Sequence, residues 1–134
     1  LSDFFEKNRS LYYDNLMRVR THNDINQWLK FFLSGVVETA KNGVNTFDSI
    51  LQLQKLVDNK IENLGKRSTD GRLVMNHLYK RPVITAPIVA ELIGKTPQTA
   101  YTLISDLEKA EIIKEVTGSQ RNKLYVFEEY LNLF

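Results

Sequence analysis

Between residues 82 and 97 the chain carries its stop and start signals so densely that only short elements fit. Pro82 forces the residue before it out of the helical region and so ends whatever helix precedes it. Thr85 followed by Pro87 is a helix start, because a hydroxyl can cap free amides and a proline is tolerated in the first turn. Gly94 is a helix stop, and Thr96-Pro97 is a second start only two residues later. The outcome is two short helices joined by a tight turn. Their apolar spacing sets Ile88, Val89 and Leu92 inward on the first, and Ala100, Leu103, Ile104 and Leu107 inward on the second.

The flanks complete a pattern. Residues 70–80 form a preceding helix with Leu73, Val74 and Leu78 as its buried positions. After residue 111 the chain turns β-like. One arm covers residues 112–117, a polar tip covers 118–122, and a return arm covers 123–127, which reads as a hairpin. A short helix over 128–134 closes the chain. Three helices and a hairpin, with a Gly-containing turn between helices two and three, make the plan of a winged helix-turn-helix.

The first half is helical throughout. Ser2 and Asp3 cap an opening helix, with Glu6 placed as in a capping box. Phe5, Tyr12, Leu16 and Val19 recur at helical spacing, and whether residues 8–10 interrupt this helix stays open. Residues 22–24 break the pattern, and Asp24 caps a helix whose stripe is Trp28, Leu29, Phe32, Val36 and Ala40. Residues 41–45 hold one Gly and two Asn, which predicts a loop. Thr46 then caps a third helix, with Phe47, Ile50, Leu51, Val57, Ile61 and Leu64 on one face and Gly65 as its stop. The polar run 66–70 is the expected domain boundary. The predicted architecture is therefore mainly α, with a three-helix segment over residues 1–66 and a winged helix with one β-hairpin over 67–134.

Composition excludes several chemistries. With no cysteine there are no disulfides and no thiolate sites, and no apolar run reaches the roughly 18 residues of a membrane span. The expected setting is cytoplasmic. The first residue is Leu1, so the chain is expected to be a piece of a longer protein. His22 and His77 are the only histidines, neither spaced for a metal pair, and both read as structural. Gly94-Lys95-Thr96 lacks the earlier glycine and the preceding strand of a phosphate loop.

Function concentrates on the third helix of the winged portion. With its apolar stripe inward, Gln98, Thr99, Tyr101, Thr102 and Ser105 face outward near its start. These are hydrogen-bonding side chains of the kind that read base edges in a major groove. Lys95 before the helix, and Arg121 and Lys123 on the wing, are placed to meet phosphates. Against this, residues 68–127 carry eight Lys and Arg against six Asp and Glu, a net +2, which is modest for a DNA binder. Asp106, Glu108 and Glu111 would repel a backbone. Two readings stay open: a DNA-binding module, or a protein-interaction or dimerisation module.

The opening run Leu1-Ser2-Asp3-Phe4-Phe5-Glu6-Lys7-Asn8-Arg9, then Tyr12-Tyr13-Asp14-Asn15-Leu16 and Trp28-Leu29-Lys30-Phe31-Phe32-Leu33-Ser34-Gly35-Val36, resembles the segment downstream of the catalytic motif in Fic (filamentation induced by cAMP) proteins. Thr99-Ala100-Tyr101, Leu107-Glu108, Glu115-Val116-Thr117-Gly118, Arg121-Asn122 and Tyr125-Val126-Phe127 resemble the winged-helix extension of many bacterial Fic proteins. The family often has Gly-Asp-Trp where this chain has Asn23-Asp24-Ile25. The resemblance implies a parent nucleotidyltransferase that moves AMP from ATP, with Mg²⁺, onto a protein hydroxyl (AMPylation). It implies that a missing N-terminal Fic portion is one partner, and that DNA or a second copy of the chain is another. The family's His-x-Phe-x-(Asp/Glu)-Gly-Asn-Gly-(Arg/Lys) loop has no counterpart here, so no catalytic, cofactor or metal residue is assigned and this chain alone is expected to be inactive.

Overall fold

The computed structural model describes residues 1–134. It is mainly helical, with one small antiparallel sheet, and it divides into two compact units, Leu1–Asp48 and Ser49–Phe134.

The first unit holds α1 (Ser2–Lys7), α2 (Arg9–His22) and the first part of α3 (Ile25–Glu62). The open question at residues 8–10 resolves as a break at Asn8. Its φ is −110°, and its amide side chain donates to Phe4 O at 2.9 Å, beside the backbone bond to the same carbonyl. Asn23 takes the left-handed conformation, and Asp24 Oδ1 accepts from Gln27 N at 3.2 Å, so α3 starts with the expected cap. Aromatic rings fill this unit. Phe4 is buried against Phe5 and Phe31, with ring centroids 5.9 and 5.3 Å apart, and Trp28 meets Tyr12 at 5.6 Å. Gly35 is required beneath them, since a Cβ there would lie 2.5 Å from Phe4 Cδ1. Leu16, Leu29, Val36 and Ala40, expected inward, stand exposed.

The predicted loop over residues 41–45 does not form. α3 continues through it for 38 residues. One glycine costs a helix only about 1 kcal/mol and asparagine less, and no proline is present to remove an amide. Thr46 is accordingly interior to the helix, and Phe47 is exposed.

The second unit takes in the end of α3. Leu53, Val57 and Ile61, four residues apart, are buried in one core with Val74, Leu78, Val89, Leu103, Leu107 and Phe127. The expected boundary near Lys66 falls inside this unit. Residues 66–70 are not a linker: Gly65 at φ +60° starts a 3₁₀ turn over Gly65–Arg67, and α4 (Ser68–Leu78) follows at once. A Cβ on Gly71 would sit 3.1 Å from Ile61 Cδ1, so the glycine lets α4 lie close on α3. Met75 is buried beside Val74 and Leu78, whereas Leu73 is exposed, because the core face of α4 runs through 71, 74, 75 and 78.

Helix α5 (Ala86–Ile93) and helix α6 (Pro97–Lys109) form the helix-turn-helix. Gly94 is left-handed at φ +62°, and Lys95 N donates to Ala90 O at 3.1 Å, closing the last carbonyls of α5. Thr96 Oγ1 then accepts from Thr99 N at 3.3 Å as the cap of α6. The sheet has a strand that hydrophobic spacing does not reveal. β1 (Val83–Ile84) lies beside β3 (Tyr125–Val126), whose other neighbour is β2 (Lys114–Glu115), in the order β1-β3-β2. Ile84 and Glu115 both pair with Tyr125, and Phe127 N donates to Pro82 O at 2.9 Å. A short α7 (Glu128–Leu131) closes the chain.

Candidate nucleic-acid interface

The turn that caps α6 decides which side chains its first turns present. Burial of Ala100, Leu103, Ile104 and Leu107 leaves Gln98, Tyr101 and Thr102 exposed, and Thr99 and Ser105 half-buried. The two threonines are already engaged. Thr99 Oγ1 lies 3.0 Å from Thr96 Oγ1, and Thr102 Oγ1 donates to Gln98 O at 3.0 Å. Gln98 and Tyr101 keep their polar groups in the open.

Lys95 is placed differently from the wing cations. Its ammonium is 2.6 Å from Asp70 Oδ2, and Asp70 is buried in the first turn of α4. The pair ties the turn of the helix-turn-helix to α4, so its charge is largely balanced. Sequence reasoning missed Asp70. Its only signal is an acid in a helix's first turn, which predicts capping rather than an ion pair 25 residues away.

On the wing, Arg121 is exposed and Lys123 half-buried. Glu115 shapes the approach to the tip. Its Oε1 accepts from the Thr117 hydroxyl, from Thr117 N at 2.7 Å and from Gly118 N at 3.0 Å. Those bonds, the hydroxyl's first, hold the carboxyl below the ordinary glutamate range, with Lys123 nearby adding to the effect. Asn122 completes the tip at φ +53°. Tyr101 and Lys123 come together at a recess of about 150 Å³, whose other walls are Thr85, Ala86, Pro87 and Asn122. Three distant segments build it, and no local motif could have announced it.

Apart from Glu115, the acidic residues Asp106, Glu108 and Glu111 lie beyond the first turns of α6. Asp106 Oδ2 lies 2.6 Å from Arg67 Nε. Glu108, Glu111, Glu128 and Glu129 line a different cavity, of about 280 Å³, with Ile112 and Ile113. His22 is exposed with Nδ1 2.7 Å from Thr21 Oγ1, and His77 is half-buried on α4. Neither adjoins a glycine-rich loop, so no residue here is assigned to ATP or Mg²⁺. No helix is long and apolar enough to cross a membrane.

No protein-family model matches the chain, and no curated protein matches it.

Proposed function

We propose that this chain is the non-catalytic C-terminal region of a Fic-family AMP-transferase, and that its winged helix binds duplex DNA in the cytoplasm, in autoregulation of its own operon. The observation that carries the DNA reading is the face itself. Gln98, Tyr101 and Thr102 are exposed on the first turns of α6, the carboxylates of that helix lie further along it, and Arg121 stands open on the adjoining wing. A helix of this kind enters a major groove by its N-terminal end while the wing meets the backbone. The Fic reading rests on the residue resemblance alone. The test is fluorescence anisotropy with duplex DNA from the chain's own upstream region. Binding should weaken steeply from 50 to 200 mM salt, because phosphate neutralisation releases counterions. Absence of binding at 50 mM salt would refute the reading.

A second reading, a protein-docking or dimerisation module, is favoured by the first unit. There Leu29, Leu33, Val36, Val37, Val44 and Phe47 are all exposed along α3, an apolar stripe of the kind that marks protein interaction sites. Sedimentation of the purified chain tests it, since a monomer at high concentration excludes self-association. The Fic assignment is tested separately on the full-length gene product, which should transfer AMP from ATP with Mg²⁺ while this chain alone transfers none.

A further inference from the structure

The side chains at the start of α6 carry a sequence preference, an inference that rests on the DNA reading above. From Gln98 to Ser105 there is no Arg, Lys, Asp or Glu. Guanine is read chiefly by Arg or Lys at O6 and N7, and cytosine by a carboxylate at its amino group. Neither tool is present on this face. Lys95, the nearest cation in sequence, is held by Asp70 at 2.6 Å.

What the face does hold matches the other base pair. Gln98 is exposed, and its side-chain amide offers a donor and an acceptor side by side, the complement of adenine N7 and N6. Thr102 spends its hydroxyl hydrogen on Gln98 O at 3.0 Å, and Thr99 shares one with Thr96 at 3.0 Å. A threonine that has given its hydroxyl hydrogen away can offer a base no donor, only its γ-methyl or an acceptor lone pair, and thymine alone presents a methyl in the major groove. Gln98 and Thr102 are one turn apart, about 6 Å along the axis, which spans roughly two base-pair steps.

We propose that this winged helix reads adjacent A·T pairs in the major groove, with Gln98 on adenine and the methyls of Thr102 and Thr99 on thymine. Arg121 supplies the sequence-independent phosphate contact.

The experiment selects duplexes from a randomised pool with the whole chain at 50 mM salt, then measures anisotropy on the winner and on three variants of it. One has its A·T core replaced by G·C, one carries uracil for thymine, and one carries 7-deazaadenine for adenine. Expected are an A·T-rich winner, a loss of about tenfold or more on the G·C core, and a loss of about three- to fourfold per methyl removed. 7-Deazaadenine should weaken the wild type but not Gln98→Ala, whose fold is checked by circular dichroism. A winner rich in G·C, or equal affinity for both cores, overturns this inference while leaving DNA binding intact. Failure to bind any duplex overturns the DNA reading itself, and this inference with it.

Discussion

Lys95 Nζ stands 2.6 Å from Asp70 Oδ2, with the carboxylate buried and the lysine half exposed, so the cation just before α6 is already held by α4. A paired cation adds little to phosphate binding, whereas an open one adds its full counterion release. Lys95→Ala should therefore lower DNA affinity by less than about twofold, while Arg121→Ala lowers it about three- to tenfold and reduces the salt slope by about 1. Salt-titrated anisotropy on both variants reads the difference. Equal losses would contradict the pairing. Asp70→Ala should also cost stability, about 1 kcal/mol in urea unfolding once the exposure of Lys95 is discounted.

Helix α3 makes a sharp prediction at Gly43. Nothing lies within 4 Å of where its Cβ would be, and the helix is continuous on both sides. Gly43→Ala should thus raise thermal stability by roughly 0.5–1 kcal/mol. In a loop of the kind residues 41–45 suggest, the same change would bring no such gain, so a neutral or destabilised variant argues against the continuous helix.

That contrast marks where the sequence was legible. The helix-turn-helix could be read to the residue because its boundaries have local causes: Pro87 in the first turn of α5, left-handed Gly94 at its end, and the Thr96 cap with Pro97 at the start of α6, although Thr85 makes no side-chain cap bond. The inward face of α6 was legible for the same reason, as four apolar residues at one helical spacing. Strand β1 was not, since two residues are too few to show a period and their pairing partner is over 40 residues away. Nor was the division at Asp48, because Leu53, Val57 and Ile61 look alike whichever core they enter. On the interface, Gln98 and Tyr101 followed from helical geometry, whereas the capture of Lys95 by Asp70 and the recess beside Lys123 depend on tertiary placement alone.

Gly35 tests the aromatic packing of the first unit. A methyl group there would press on the Phe4 ring at 2.5 and 2.7 Å and on Leu1 Cδ1 at 3.1 Å. The ring is wedged between Phe5 and Phe31, so it cannot turn away without disturbing them. Gly35→Ala should destabilise this unit by about 1–3 kcal/mol. Trp28 is the sole tryptophan and belongs to the same cluster, so its fluorescence reports the loss directly. An unchanged unfolding curve would show that the rings are not packed this way.

The Glu115 clasp on the wing predicts a pH response. A carboxyl held below its ordinary range in the folded state contributes fully above that range, and the contribution is lost as pH falls through the lower folded value. By NMR, Glu115 should protonate below the ordinary glutamate range as pH falls, and the Thr117 and Gly118 amides should shift upfield as it does. Thr117→Val removes the hydroxyl donor and should move the transition toward the ordinary value. A Glu115 that titrates in the ordinary glutamate range would mean the clasp is open in solution.

Tyr79 gives the alkaline counterpart. Its hydroxyl is buried with no hydrogen-bond partner, and burial, followed by the Asp58 charge, pushes its ionisation up to about 12. The folded state therefore holds this proton more tightly than the unfolded chain does. Its contribution to stability is complete below about pH 10 and fades as pH rises toward 12. Burial also raises Tyr125, so absorbance at 295 nm is compared between the wild type and Tyr79→Phe, which should lack a step near pH 12. Because an unpartnered buried hydroxyl costs more than it returns, the same variant should be neutral or up to about 1 kcal/mol more stable at pH 7. Its ring contacts with Phe127 and Tyr130, at 5.6 Å each, survive the change. A clear loss of stability in Tyr79→Phe would mean that the hydroxyl has a partner in solution.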